Sequence, residues 1–274
     1  MASPETCFPR YHLPTGLAVR IAASLLAGKT RSFKQDAQAA VAGISDLRVC
    51  GSLPDLSQLE RGCMVTVNHY HRPGFLAMWI ALAVSAAFPA ELHWGMTSAF
   101  TQPDPIRSLV LTPISTAVLL NLAKLYGFTP MPPMPPRPED LTERALAVRG
   151  LVRYARAVER PLIGFAPEGM DHPGGRLASP PPGAGRLIGY LAGRGLGIQP
   201  VGVYEEGGSL ILNFGAPYFI DQTGPADHRT ADAAVSNRVM AEIARCLPAR
   251  LCSQSGSPAG AEGERNAAEA LETD

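Results

Sequence analysis

The chain has 274 residues, 46% of them hydrophobic, which is enough to bury a substantial core in one domain, or in one domain plus an appendage. Its 24 Lys and Arg balance 24 Asp and Glu, so no global field draws in nucleic acid or an anionic membrane, and any phosphate or lipid contact must come from local patches. Five cysteines without C-x-x-C spacing read as reduced apolar fillers in a cytosolic setting rather than as a disulfide framework. The first nine residues hold no apolar core of a secretory signal, and no stretch reaches the roughly 18 uncharged apolar residues of a membrane span. Residues 108–123 come closest, bounded by Arg107 and Lys124 and carrying Pro113. A cytoplasmic protein is expected, with peripheral contact to the inner face of the cell membrane left open.

Residues 17–42 have helical character, with Leu17, Val19, Ile21, Leu25 and Leu26 among alanines and Arg20, Lys29, Arg31 and Lys34 around them. Such a segment either lies on a membrane surface or packs on the core. Residues 46–51 alternate as a short strand, and 53–56 turn. The apolar run 63–67 predicts a strand that stops on Asn68-His69-Tyr70-His71-Arg72-Pro73-Gly74. A helix follows over 75–87 with Pro73 at its first turn, then a strand over 92–96.

Helical spacing returns over 106–125, where Pro113 marks a kink or a boundary. A strand over 126–129 runs into the proline-rich 130–136, an extended surface loop whose methionines and prolines line an apolar groove wall. The helix at 139–158 carries Arg144, Arg149, Arg153 and Arg156 on or near one side, with Arg137 just before it. A second strand, 161–165, ends in Ala166-Pro167-Glu168-Gly169. A helix over 184–193, strands over 197–203 and 210–218, and a helix over 231–251 complete the series. Three regions result: an N-terminal helical segment of membrane-interfacial character (1–45), an α/β domain (46–252) and a disordered Ala/Glu/Gly/Ser-rich tail (253–274). Strands alternating with helices predict a mixed, mostly parallel central sheet flanked by helices. One strand end carries an imidazole and another a carboxylate, which is what a site at the carboxyl edge of such a sheet requires.

The order of these motifs resembles the glycerolipid acyltransferase family, typified by 1-acylglycerol-3-phosphate acyltransferase. Asn68-His69 matches the start of that family's N-H-x-x-x-x-D, and Pro167-Glu168-Gly169 matches part of F-P-E-G-T-R. Gly127-Phe128 loosely matches its second motif, Pro200-Val201 its V-P-V, and Gly215-Ala216-Pro217 its G-x-P. The resemblance covers about residues 46–251 and implies a glycerol-3-phosphate acyltransferase-like fold. It further implies phospholipid-type chemistry: an acyl group moves from acyl-CoA or acyl-carrier protein to the hydroxyl of a lipid-type acceptor, with no metal and no other cofactor. On this reading His69 is the general base, suited by an ordinary pKa near neutrality, and no acyl-enzyme forms. Asn68, Glu168 and Gly169 would shape the acceptor site, Asn68 by tethering the turn.

Two departures stand out. Gly74 occupies the position of the family's aspartate, which orients the imidazole; in a serine protease, loss of the analogous carboxylate costs about 10⁴ in turnover. Met170-Asp171 stands where the family has Thr-Arg, so an anion-attracting position becomes anion-repelling. Asp171 either supplies the carboxylate missing at residue 74 or belongs to a polar turn, Asp171-His172-Pro173-Gly174-Gly175. Arg72 and Arg176 are candidate replacement cations, and His71 is either a rival base or a surface histidine. The alternatives are a lipid- or acyl-binding protein without catalysis, and a thioester hydrolase using water. A dinucleotide loop at Gly183-Ala184-Gly185 is excluded by Ile188 at the third glycine position and by the prolines before it.

Overall fold

A computed structural model describes residues 8–100, 105–135, 137–220 and 227–252, with the backbone alone for 105–111 and 173. The expected tail at 253–274 and most of the stretch searched for a signal lie outside them. Seven strands form one sheet: β1 (Leu47–Gly51), β2 (Cys63–Val67), β3 (His93–Thr97), β4 (Thr129–Met131), β5 (Leu162–Phe165), β6 (Gly197–Glu206) and β7 (Ser209–Phe214), in the order β1-β7-β6-β2-β5-β3-β4. Every neighbouring pair is parallel except β6 with β7, so the sheet is mixed and mostly parallel. The helices are α1 (Thr15–Leu26), α2 (Phe33–Val41), α3 (Met78–Ala87), α4 (Pro105–Tyr126), α5 (Leu141–Ala157), α6 (Ala184–Ala192) and α7 (His228–Arg245). All five residues of β2 are buried, as expected for a central parallel strand covered on both faces.

The order of travel explains where the helices lie. From β2 through α3, β3 and α4 to β4 the chain moves outward across the sheet; through α5, β5 and α6 it returns to β6. Right-handed crossovers therefore put α3 and α4 on one face and α5 and α6 on the other. The packing agrees: α2 lies on α3, α1 touches α4, and α6 lies on α7. Adjacent strands β2 and β5 thus hand the chain to opposite faces, and a crevice opens between their carboxyl ends. In open α/β sheets that switch point is where ligands bind.

Several boundaries differ from the sequence expectation, each for a local reason. The helical stretch at 17–42 is two helices, and Ser32 caps the second by accepting from the Gln35 N–H. Leu17, Phe33, Ala37 and Ala40 enter the core, whereas Val19 and Leu26 face outward. Helix α3 begins at Met78, so Pro73 lies outside it. Phe75 is buried between the rings of Tyr11 and Tyr70, at centroid distances of 5.5 and 5.2 Å, and this anchor holds residues 68–77 as an irregular loop. Pro130, placed in a loop by its composition, lies within β4. β4 is an edge strand with β3 as its neighbour, so the missing N–H breaks no ladder bond. α4 runs through Pro113 without a break.

Candidate active site

Three ties fix the loop that leaves β2. Asn68 is buried: its Oδ1 accepts from the Val203 N–H at 2.7 Å and its Nδ2 donates to the Val203 carbonyl at 2.9 Å. One residue further, the His69 N–H donates to Glu168 Oε2 at 2.6 Å, while Glu168 Oε1 accepts from the Ala178 N–H at 2.7 Å. Glu168 is 1% exposed, and burial raises its pKa against the pull of those two backbone donors. On the far side, Arg72 grips Glu205 through Nε and, at 2.8 Å, through Nη2. The same carboxylate accepts from Tyr11 Oη at 2.6 Å and Tyr70 Oη at 3.2 Å, and the Arg72 guanidinium lies 4.1 Å over the Phe8 ring.

With its backbone held on both sides, His69 presents its ring at the switch point. His69 Nδ1 lies 2.7 Å from Asp171 Oδ1, and Asp171 Oδ2 lies 3.3 Å from His71 Nδ1. The His69 contact is close but out of line with the ring N–H, and Nδ1 has no aligned acceptor. Asp171 is held below the usual carboxylate range, chiefly by the contact with His69 and against the effect of burial. Gly175 packs this turn onto the His69 loop: at φ +64° it approaches so closely that a Cβ would lie 2.5 Å from the His71 carbonyl oxygen.

Of the residues singled out in the sequence, His69, Asp171, Asn68 and Glu168 come together here. Gly169 lies beside them, against Met134. Arg72 is in the same loop with its guanidinium committed to Glu205. Arg176 is exposed, with no ion-pair partner among the described residues, and Gly74 is exposed on the loop's outer turn. Sequence reading missed Glu205, Tyr11 and Tyr70. The sequence signal for Glu205 was weak, since a carboxylate at the end of a largely apolar strand is followed at once by a second one, Glu206, and only the fold shows which of the two is buried. Among the described residues no cluster of His, Cys, Asp and Glu could hold a metal ion.

His69 opens into a groove of about 1700 Å³ that passes over the carboxyl edge of the sheet. One arm is apolar, lined by Leu17 and Ile21 of α1, Met78 and Ala81 of α3, and Val118 and Leu122 of α4. Met131, Pro132 and Met134, read from sequence as a groove wall, line it too. The other arm runs between α5 and α6 over Val148, Val152 and Leu187, and its rim carries Arg156 and Arg186. Neither guanidinium has a carboxylate partner among the described residues; that of Arg156 donates to Tyr190 Oη at 3.0 Å, and Arg186 meets Asp232 only through its backbone N–H, at 2.8 Å.

No protein-family model matches this chain, and no curated protein matches it in sequence. Among solved structures it is similar to the 1-acyl-sn-glycerophosphate (LPA) acyltransferase PlsC from Thermotoga maritima, at 14% identity and a TM-score of 0.46, over 84% of this chain and 87% of that one.

Proposed function

We propose that this chain transfers an acyl group from a thioester to the hydroxyl of a lipid-type acceptor, with His69 as general base and Asp171 as its carboxylate. The observation that carries the reading is the 2.7 Å contact between His69 Nδ1 and Asp171 at the switch point, beside an apolar groove. A small turn of the ring would bring Nδ1 into line with Asp171, which then keeps the proton on that nitrogen and leaves Nε2 to accept. The acceptor O–H gives its proton to Nε2 as its oxygen attacks the thioester carbonyl. Collapse of the tetrahedral intermediate breaks the C–S bond, and the imidazolium returns the proton to the departing thiolate. Asp171 stabilises the imidazolium in between. Asn68 and Glu168 act as positioning residues, because their side chains are spent on backbone groups around His69.

The groove suits an amphiphilic donor such as acyl-CoA or acyl-carrier protein. Its acyl chain would lie in the arm formed by α1, α3 and α4, and its phosphorylated arm would leave past Arg156 and Arg186. On the acceptor side, Asp171 stands beside His69 and Arg72 is taken by Glu205, which favours a hydroxyl without an adjacent phosphate. Among the described residues no helix is long and apolar enough to cross a membrane. Val19, Leu26 and Ile114 are exposed outside the groove on the helices that line the apolar arm, and we assign them to peripheral contact with a bilayer that supplies the acceptor.

The test is thiol release from an acyl thioester with and without a long-chain alcohol, for the native chain, His69→Ala and Asp171→Asn. Acceptor-dependent release should vanish in His69→Ala and fall by about 10²–10⁴ in Asp171→Asn. Equal release by the native chain and His69→Ala would leave a binding protein. Free fatty acid as the sole product would mark a hydrolase.

A further inference from the structure

We infer that His71 is a positioning residue that holds Asp171 in place for His69, an inference that rests on the reading of His69 and Asp171 above. Asp171 needs such a hold. It lies on a turn with glycines at 169, 174 and 175, all at positive φ, and its side chain is 49% exposed. A carboxylate so placed, with one contact, exchanges that contact readily for water. The structure gives it two. Oδ1 faces His69 Nδ1 at 2.7 Å and Oδ2 faces His71 Nδ1 at 3.3 Å, so the carboxylate bridges two imidazoles with one oxygen each. The backbone of the two turns is fitted at the same point, since Gly175 sits against the His71 carbonyl at a distance that excludes any side chain.

His71 is not itself placed as a base. His69 lines the groove and His71 does not. With Nδ1 turned to Asp171, its ring serves the carboxylate. In a chain with glycine at position 74, a carboxylate from the turn after β5 and a second histidine from the loop after β2 together do the orienting that one aspartate at position 74 would do.

The experiment compares His71→Ala, His71→Asn and Asp171→Asn singly, and His71→Ala in the Asp171→Asn background, with thermal melting to confirm folding. His71→Ala should lower kcat about tenfold, the order of one polar contact to a carboxylate, with KM within about twofold. His71→Asn, whose amide nitrogen can stand in for Nδ1, should restore most of kcat. In the Asp171→Asn background His71→Ala should cost nothing further, because a residue acting only through Asp171 has nothing left to act on. Full activity in His71→Ala, while His69→Ala and Asp171→Asn are crippled, overturns the inference and leaves the catalytic reading standing. An undiminished loss in the Asp171→Asn background overturns it as well. Activity surviving in His69→Ala removes both. If His71→Ala fails to fold, His71→Phe keeps the ring volume without the donor and should show the same loss.

Discussion

Glu168 shows how far a residue's role depends on what its atoms face. A carboxylate after a strand at the carboxyl edge of a sheet reads as a group that meets substrate. Here both oxygens accept backbone N–H groups, from His69 and from Ala178, and the side chain joins two loops. Glu168→Gln must turn its NH₂ toward one of those donors, and an unsatisfied buried pair costs about 1–3 kcal/mol. Its pH dependence has a definite sign. The carboxyl's pKa is raised in the folded state by burial, so the folded protein binds that proton more tightly than the unfolded chain. This group's contribution is therefore fullest below the unfolded carboxyl pKa and falls as pH rises through the folded value. Denaturant unfolding across pH 4–8 should show Glu168→Gln less stable at neutral pH and without that component of the slope. Because Asp46, Asp55, Asp171 and Asp227 are held low and add stability as pH rises, the reading is the difference between native and Glu168→Gln; a difference that grows with pH would mean that the two backbone donors outweigh burial.

Among elements, β5 matters most because it carries Glu168 and Asp171 to their places. Its neighbour β3 brings Trp94 across Gly164, where a Cβ would lie 2.8 Å from the indole carbons. The indole cannot easily retreat, since Trp94 Nε1 donates to the buried Ser85 Oγ of α3 at 2.8 Å. Gly164→Ala should therefore cost about 1–3 kcal/mol through overpacking, read as a lower denaturant midpoint with a changed tryptophan emission. The strain should also move the end of β5 relative to β2 and reduce the acyl transfer proposed above. An unchanged midpoint would show that the β3–β5 contact is looser than the distances indicate. The α5–α6 arm of the groove has a similar origin: α6 packs closely on α7 and only sparingly on α5, leaving the cleft that Arg156 and Arg186 border.

For the whole molecule, the arrangement of surface explains how a chain with no net charge could meet a lipid. Apolar side chains collect on α1, α3 and α4, the elements that line the apolar arm, so contact with a bilayer would rest on buried apolar area rather than a broad electrostatic field. Sedimentation with neutral phosphatidylcholine vesicles should therefore capture the native chain with little dependence on salt. Val19→Ser with Leu26→Ser should weaken capture without lowering the melting temperature, because both side chains are already exposed in the folded protein, at 62% and 91%. Equal capture of the two proteins would place membrane contact elsewhere.

The sequence alone determined the sheet and the two strand ends that matter. Apolar runs closed by Asn68-His69 and by Pro167-Glu168-Gly169 are local patterns, and alternation of strands with helices imposes parallel pairing and right-handed crossovers. It did not determine the start of α3, which waits on Phe75 finding Tyr11 and Tyr70, or the entry of Pro130 into an edge strand. It left open both readings of Asp171, the polar turn and the replacement carboxylate, because it could not say what that side chain faces. Only the tertiary structure set that side chain between His69 and His71, and gave Arg72 to Glu205. The physical reason is range: hydrophobic period and turn chemistry act between neighbours in the chain, whereas a side-chain contact between two loops depends on how strands distant in sequence pair and how closely their turns then pack.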